Sequence, residues 1–220
     1  MPAYRTLKRR GEDEVVITRS RFIGQCCPCH TEAEALAFLD EVRRRHRDAR
    51  HNCYAYIIGA NMGVMRYSDD GEPGGTAGLP IIETMKGRGV TDACVVVTRY
   101  FGGVLLGTGG LARAYRQGCR IALDAGGVVE MIPSLVFLCE VAYPLWDRLS
   151  YALETLPAET VEVSYDTAVQ VTLKARLSDA DMVKNEITRL CQGKAEFLDI
   201  EEKEMMWDDP GEGGEASDGP

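Results

Sequence analysis

Two glycine-rich segments that also carry charged side chains lie between Tyr67 and Tyr115. The first reads SDDGEPGGTAG at 68–78 and the second reads TRYFGGVLLGTGGLARAY at 98–115. Glycine adopts positive φ and allows close approach to a ligand, whereas a flexible linker would mix glycine mainly with serine. Both segments therefore predict shaped loops with ligand-facing backbone amides. The second follows an apolar run and precedes a helical pattern that opens at Leu111, so its amides adjoin a positive helix end.

Charge divides the 220 residues near Met131. Residues 1–131 carry 18 Lys and Arg against 15 Asp and Glu, a net charge of +3. Residues 132–220 carry 7 against 19, a net charge of −12. The contrast predicts an N-terminal domain at 1–131 that can meet phosphate, a C-terminal domain at 132–207, and a disordered acidic tail at 208–220.

The sequence predicts a cytoplasmic protein that does not enter a membrane. No stretch approaches the roughly 20 apolar residues of a membrane span, and the start MPAYRTLKRR lacks the apolar core of a signal peptide. The eight cysteines are too sparse for a disulfide scaffold, so we expect reduced thiols, most of them in the core.

Alternating helix and strand patterns predict an α+β fold in both domains. In the first domain a capping box at Thr31 and Glu34 opens a helix that ends near His46. Its other predicted elements are strands at Ser20–Cys29, Cys53–Ile58, Val64–Ser68 and Ala93–Arg99, and a helix that includes Ile81–Lys86.

The second domain predicts a ferredoxin-like βαββαβ unit. Its strands are expected at Leu135–Val141, Val161–Tyr165, Val169–Ala175 and Ala195–Glu204. Its helices are expected from Pro144 to about Leu156 and, after a cap at Ser178, through Leu190.

Five short motifs resemble the signature of the YigZ/IMPACT family. They are His51-Asn52-Cys53, Ala55-Tyr56, SDDGEPGGTAG at 68–78, VVTRYFGG at 96–103 and LGTGGLARAY at 106–115. The resemblance implies a ribosomal-protein-type βαβ fold for the first domain and a second domain similar to one in elongation factor G. It also implies a link to translational control, with binding of RNA or ribosomes as the usual inference for the bacterial branch.

An anion site is predicted around the second glycine-rich segment. Arg113, Arg116 and Arg120 follow i, i+3, i+7 spacing and so share one helix face. With Arg99 they would hold phosphate, and Tyr100 would offer a stacking surface. The backbone expected to complete the pocket belongs to Gly103, Gly107, Thr108, Gly109 and Gly110. The same residues also fit a solvated basic face and a packed tyrosine.

The first glycine-rich segment offers candidate catalytic or metal-binding groups. Asp69, Asp70 and Glu72 would hold Mg²⁺ or act as acid and base, or they would only shape the turns and pair with Arg99. His51 is a candidate general base or a hydrogen-bonding residue that shapes the loops. Apart from Mg²⁺ at Asp69 and Asp70, we expect no cofactor.

The cysteine and histidine groups do not predict a zinc site, because their spacing matches no closed four-ligand pattern. The residues concerned are Cys26, Cys27, Cys29, His30, His51 and Cys53.

Three functions remain open from sequence. The favoured one is a translation-associated monomer that binds RNA or ribosomes through the glycine-lined anion site. The alternative is a small enzyme that acts on a phosphorylated metabolite at the same site, with His51 or Asp70 as base. A third is a protein-interaction module that uses the C-terminal domain. A basic surface beyond the pocket, for which Arg43 to Arg47 are candidates, would favour RNA, and a closed pocket sized for a small ligand would favour the enzyme.

Overall fold

The computed structural model describes residues 3–208, without the side chain of Asp208, and forms two compact units. The N-terminal unit contains residues 3–131 together with 206–208, and the C-terminal unit contains 132–205. Met206 and Trp207, which the sequence analysis assigns to the C-terminal domain, therefore group with the N-terminal unit. The predicted acidic tail lies outside the described residues from 209 onward.

The N-terminal unit mixes strands and helices, as the α+β prediction requires. Strand β1 (Tyr4–Leu7) pairs antiparallel with Val128–Met131, the first four residues of strand β7 (Val128–Val141). The elements in chain order are β1 (Tyr4–Leu7), β2 (Gly11–Ile17), β3 (Ser20–Pro28), α1 (Glu32–Arg45), β4 (His51–Ile58), β5 (Val64–Ser68), α2 (Gly78–Gly87), β6 (Ala93–Tyr100), α3 (Gly107–Gly126) and the start of β7 (Val128–Val141).

The main sheet of this unit has the order β2-β3-β6-β4-β5, and all neighbours pair antiparallel. Helix α1 covers one face, where Phe38 and Leu39 pack with Val96. Helices α2 and α3 cover the other face, where Ile81 and Tyr115 join the core. Because both faces are covered, the first five residues of the central strand β6, Ala93 to Val97, are all apolar.

Antiparallel pairing gathers several chain segments at one end of this sheet. The register places Tyr100 opposite Arg21, Arg99 opposite His51, and Ser68 opposite Tyr54. The starts of β3 and β4 therefore lie beside the ends of β5 and β6. We call this end of the sheet the loop end; it carries residues 18–21, 46–51, 68–78 and 99–106.

Helix α3 begins at Gly107, four residues before the predicted start at Leu111. The sequence GTGG is thus the first helical turn and not a loop. Glycine is a poor helix former, but amides of a first turn have no intrahelical acceptor in any case. Farther along, α3 packs closely against β3. A Cβ at Gly24 on β3 would lie 2.0 Å from the Gly118 carbonyl oxygen of the helix.

The C-terminal unit has the predicted βαββαβ order. The strand order in its sheet is β10 (Glu196–Asp208), β7, β9 (Val169–Arg176) and β8 (Ala158–Tyr165), which is the ferredoxin-like arrangement. Its core includes Phe137, Leu149, Leu173 and Ile187. The elements after β7 are α4 (Tyr143–Leu153), β8 (Ala158–Tyr165), β9 (Val169–Arg176), α5 (Ala180–Leu190) and β10 (Glu196–Asp208).

The capping predictions have different outcomes. The Thr31 side chain accepts a hydrogen bond from the Glu34 amide at 3.2 Å, as the capping box requires. The predicted cap at Ser178 is wrong, because Asp179 is the residue before α5 and its side chain makes no capping bond. Between residues 3 and 208, no helix combines the length and apolarity that a membrane span needs.

Candidate functional site

An open cleft lies at the loop end of the N-terminal unit and has a volume of about 440 Å³. Its lining brings together three of the residues predicted from sequence, His51, Arg99 and Tyr100. Antiparallel pairing accounts for this convergence, because β4 begins where β6 ends. The complete lining is Asp48, Arg50, His51, Arg99, Tyr100 and Phe101.

Arg99 forms a buried ion pair beneath the cleft. Its Nη1 donates to Glu72 Oε1 at 2.7 Å, and the two side chains are only 7% and 4% exposed. Tyr115 on α3 donates its hydroxyl to the same oxygen at 2.8 Å, and burial raises the pKa of this tyrosine. Glu72 therefore ties the first glycine-rich segment to β6 and α3.

The Arg99 guanidinium also lies between two aromatic rings. Its Cζ is 5.5 Å from the Phe22 ring centre and 5.4 Å from the Phe101 ring centre, within cation–π range. Nη2 reaches Ser20 Oγ at 3.4 Å, and the buried Nε has no hydrogen-bond partner among the described residues. Arg99 thus positions Phe101, and its charge is balanced by Glu72.

Asp69 organises the first glycine-rich segment. Its carboxylate accepts three backbone hydrogen bonds, from Gly75 at 2.8 Å, Ala77 at 2.9 Å and Gly78 at 2.8 Å. Asp70 accepts from the Asn52 amide at 2.7 Å. These contacts match loop shaping by both carboxylates. In the described part of the chain, no group of three or more His, Cys, Asp or Glu side chains is arranged to hold a metal ion.

His51 faces the cleft from the first residue of β4. Its Nδ1 lies 2.9 Å from the carbonyl oxygen of Asp70, which can only accept, so we assign the proton to Nδ1. Nε2 is then the acceptor atom of the ring. The histidine fixes the path of the first glycine-rich segment, as one of its two predicted roles requires.

Tyr100 is held through its hydroxyl group. It donates to Asp48 at 3.0 Å and lies 3.0 Å from His46 Nδ1, while Arg21 lies 5.7 Å above its ring. Burial, followed by the bond to Asp48, raises the pKa of Tyr100, and burial lowers the pKa of His46. The neighbouring Phe101 is 53% exposed, so it is the more available stacking surface.

Exposed arginines lie in the segments of the loop end; Arg47 belongs to the basic run at 43–47 considered from sequence, whereas sequence reasoning did not select Arg19 or Arg50. Arg19, Arg47 and Arg50 have no ion-pair partner among residues 3–208. Arg19 belongs to a tight turn between β2 and β3, with φ of 66°, that packs onto Gly102. A Cβ at Gly102 would lie 2.0 Å from the Arg19 carbonyl oxygen, so only glycine fits there.

The remaining predicted anion-binding residues lie apart from the cleft lining. Arg113, Arg116 and Arg120 are exposed on α3, and Arg116 pairs with Glu83 at 3.2 Å. Arg113 folds back toward the first turn of its helix, near Gly109. The predicted backbone groups at Gly103, Gly107, Thr108, Gly109 and Gly110 do not line the cleft either. The structure therefore separates the predicted site into a cleft and a helix start.

Comparisons with known proteins match both units. Residues 18–123 match the family model described as the Impact N-terminal domain, and residues 139–194 match the domain of unknown function DUF1949. The chain is 37% identical over 205 residues to the IMPACT family member YvyE of Bacillus subtilis, covering 93% of each chain. It is 32% identical over 188 residues to the IMPACT family member YigZ of Escherichia coli, covering 84% of this chain and 92% of that one.

A solved structure is also similar. It is described as the crystal structure of a hypothetical protein, with a TM-score of 0.58 and 30% sequence identity. The match covers 91% of this chain and 98% of that chain.

Proposed function

The chain belongs to the IMPACT family, and from this premise we propose that it binds RNA, free or within the ribosome, through the cleft at the loop end. Membership of this family supports an association with the regulation of translation. The class of ligand, RNA, is inferred from the residues of the cleft. The proposal includes a cytoplasmic location, where RNA is present, and a monomeric state.

One observation carries the proposal: an open cleft is lined by an exposed aromatic ring, Phe101, and an exposed arginine, Arg50, at a loop end that carries further exposed arginines. In the proposed complex Arg50, Arg19 and Arg47 contact phosphates, and Phe101 stacks on a base. Base stacking on an aromatic side chain tolerates any sequence, because every base has a π face. An arginine without an internal carboxylate partner keeps its charge available for phosphate.

The surroundings favour an extended polyanion over a small phosphorylated metabolite. Sites for small ligands usually enclose most of the ligand surface. Here the cleft is open, and the loop end carries further exposed arginines, Arg19 and Arg47, outside its lining. The candidate catalytic carboxylate Asp69 accepts three backbone hydrogen bonds, and Asp70 accepts one from the Asn52 amide and one from Arg43, so both carboxylates already have partners within the protein.

Arg99 has a different role in this proposal from the one expected from sequence. Its guanidinium is paired with Glu72 and nearly buried, so it gives little net charge to the cleft. It instead holds Phe101 in place by the cation–π contact. We therefore assign phosphate binding to Arg50 instead of Arg99. Arg50 lines the cleft, is exposed and precedes His51 in the chain.

Salt dependence tests the proposal. Fluorescence anisotropy with a labelled single-stranded RNA would be measured between low and physiological salt. Three phosphate contacts predict a slope of log K against log salt of roughly −2, since each contributes about −0.7 on single strands. Arg50→Gln should weaken binding and reduce the slope by about 0.7. The matched control Arg148→Gln removes an exposed arginine from the C-terminal unit and should leave both unchanged.

Two results would contradict the proposal. The first is an RNA affinity that does not depend on salt. The second is an equal loss in Arg148→Gln and Arg50→Gln, which would show that only overall charge matters. Binding of inorganic phosphate without any binding of RNA would support the phosphometabolite enzyme instead.

A further inference from the structure

Three thiols share the face of the N-terminal sheet that α1 covers. Cys27 lies on β3, Cys29 follows two residues later, and Cys94 lies on β6. All three belong to one buried cluster with α1 residues such as Phe38. Cys27 and Cys94 are direct register partners, so their side chains are cross-strand neighbours. Cys27 and Cys94 pair near the end of the β3–β6 ladder opposite to Tyr100, and none of the three thiols lines the cleft at the loop end, so different residues carry this inference.

Only part of the thiol cluster can be reached from the surface. A second cleft, of about 360 Å³, is lined by Cys27 and Cys29 but not by Cys94. Cys27 retains 7% exposure, whereas Cys29 and Cys94 are fully buried. A small molecule that enters this cleft therefore meets Cys27 first. The rest of the lining is Arg10, Pro28, Glu34, Ala37, Phe38, Glu41 and Arg44.

Arg10 supplies a positive charge to this cleft. It precedes Gly11, which pairs with Cys26, so its side chain comes opposite Cys27. Arg10 lines the cleft together with Cys27, and its guanidinium bonds Glu41 at 3.0 Å and lies 5.5 Å from the centre of the Phe38 ring. These contacts fix its position, and a guanidinium beside a sulfur favours the thiolate, which is the nucleophilic form.

The thiols of this unit differ in acidity for this reason. The hydrogen bond from Cys29, followed by the charge of Arg10, lowers the pKa of Cys27 although burial opposes it. The hydrogen bond to Cys27, followed by burial, raises the pKa of Cys29, and burial raises the pKa of Cys94. Burial also raises the pKa of the adjacent Cys26, on the opposite face, to about 12.

We propose that Cys27 is a modification site, a reactive thiol that small electrophiles of the peroxide class oxidise to the sulfenic acid. The thiolate sulfur attacks one peroxide oxygen; an S–O bond forms and the O–O bond breaks. Hydroxide leaves and takes a proton from solvent to become water. The sulfur is oxidised and the peroxide is reduced, so the step needs no further reactant. Arg10 favours the attacking thiolate, and the Cys29 thiol donates a hydrogen bond to the carbonyl oxygen of Cys27 at 3.4 Å.

The test measures the reactivity of each cysteine in the full-length folded protein. Hydrogen peroxide treatment, trapping with dimedone and peptide mass spectrometry would locate sulfenic acid. Iodoacetamide rates between pH 5 and 10 would be measured at each site. We expect labelling at Cys27 at least tenfold faster than at Cys26 or Cys94, with a pH midpoint below the roughly 8.5 of an ordinary thiol.

Two variants separate reactivity from simple opening of the core. Arg10→Gln should slow iodoacetamide labelling of Cys27 several-fold at pH 7 and raise the pH midpoint of that labelling. The labelling rate of Cys26 should not increase. Glu41→Gln keeps Arg10 and removes a nearby negative charge, so the Cys27 rate should hold or rise. If Arg10→Gln loosens the fold, the labelling rates of Cys26, Cys27 and Cys94 will all increase together. The labelling rate of Cys27 in Glu41→Gln then tests the proposal. Equal rates at Cys27 and Cys26 in the unaltered protein, or slower Cys27 labelling in Glu41→Gln, would overturn the proposal.

Discussion

The buried ion pair of Glu72 and Arg99 makes a quantitative prediction about stability. Glu72→Gln removes the negative charge and keeps an oxygen that can accept from Arg99 and Tyr115. The guanidinium then stays 7% exposed without the carboxylate that balances it. Removing one partner of a buried pair costs about 3–5 kcal/mol in unfolding free energy. The retained acceptor places this variant at the lower end, at about 3 kcal/mol.

Glu83→Gln is the matched control for this change. Glu83 pairs with Arg116 at 3.2 Å, and the two side chains are 51% and 44% exposed. Exposed ion pairs contribute about 0–1 kcal/mol, because solvent screens them. The same chemical substitution should therefore have a small effect at this second site.

Native-state hydrogen exchange with peptide mass spectrometry can report the two units separately. In Glu72→Gln, peptides from β6 and α3 should exchange roughly a hundredfold faster, which corresponds to about 3 kcal/mol. Peptides from β9, which belong to the other core, should be unchanged. The reasoning would be refuted if Glu72→Gln accelerated exchange in β6 no more than Glu83→Gln does.

Three further predictions follow from individual contacts. Asp48→Asn should tighten RNA binding several-fold in anisotropy, because it removes a carboxylate that lines the cleft; weaker binding would contradict this. Burial lowers the pKa of His46 from its ordinary 6.5, so the unfolded state binds the proton more readily and stability should fall as pH drops through about 6.5. Urea titrations at pH 8 and 5 should show this loss, and an equal loss in His46→Gln would count against it. Gly24→Ala should destabilise the N-terminal unit by about 1–3 kcal/mol in thermal melts, because its Cβ would meet the α3 backbone at 2.0 Å. Gly87→Ala is its control, because a Cβ at Gly87 would have no heavy atom within 4 Å, and its melting temperature should be close to that of the unaltered protein.

Elements with a strong apolar signal were predicted from sequence. Val95–Val97 marks a strand that both helical layers bury, and Val64–Ser68 has the predicted bounds. Strand β2 was not predicted, because GEDEVVI begins with charged residues and resembles a loop. Its pairing with β3, from Gly11 opposite Cys26 to Ile17 opposite Ser20, provides the stabilisation that local propensity lacks.

The candidate site was predictable only in part. Local motifs identified His51, Arg99 and Tyr100, and the structure places them in one cleft. Arg19 and Arg50 have no local signal, because three-strand pairing brings them to the same end of the sheet. Sequence also indicated that Arg99 pairs with a loop carboxylate. The choice of Glu72 depends on the backbone path that Asp69 fixes, and no periodicity encodes that path.

Ultraviolet crosslinking of the full-length protein to RNA, with mass spectrometric mapping of the crosslinked peptide, would locate the RNA-binding surface. We expect crosslinks on the segment that contains Tyr100 and Phe101. We expect them to decrease in Arg50→Gln and to stay unchanged in Arg148→Gln. Crosslinks confined to α3 or to the C-terminal unit, with none at residues 99–101, would contradict the claim that the cleft at the loop end binds RNA.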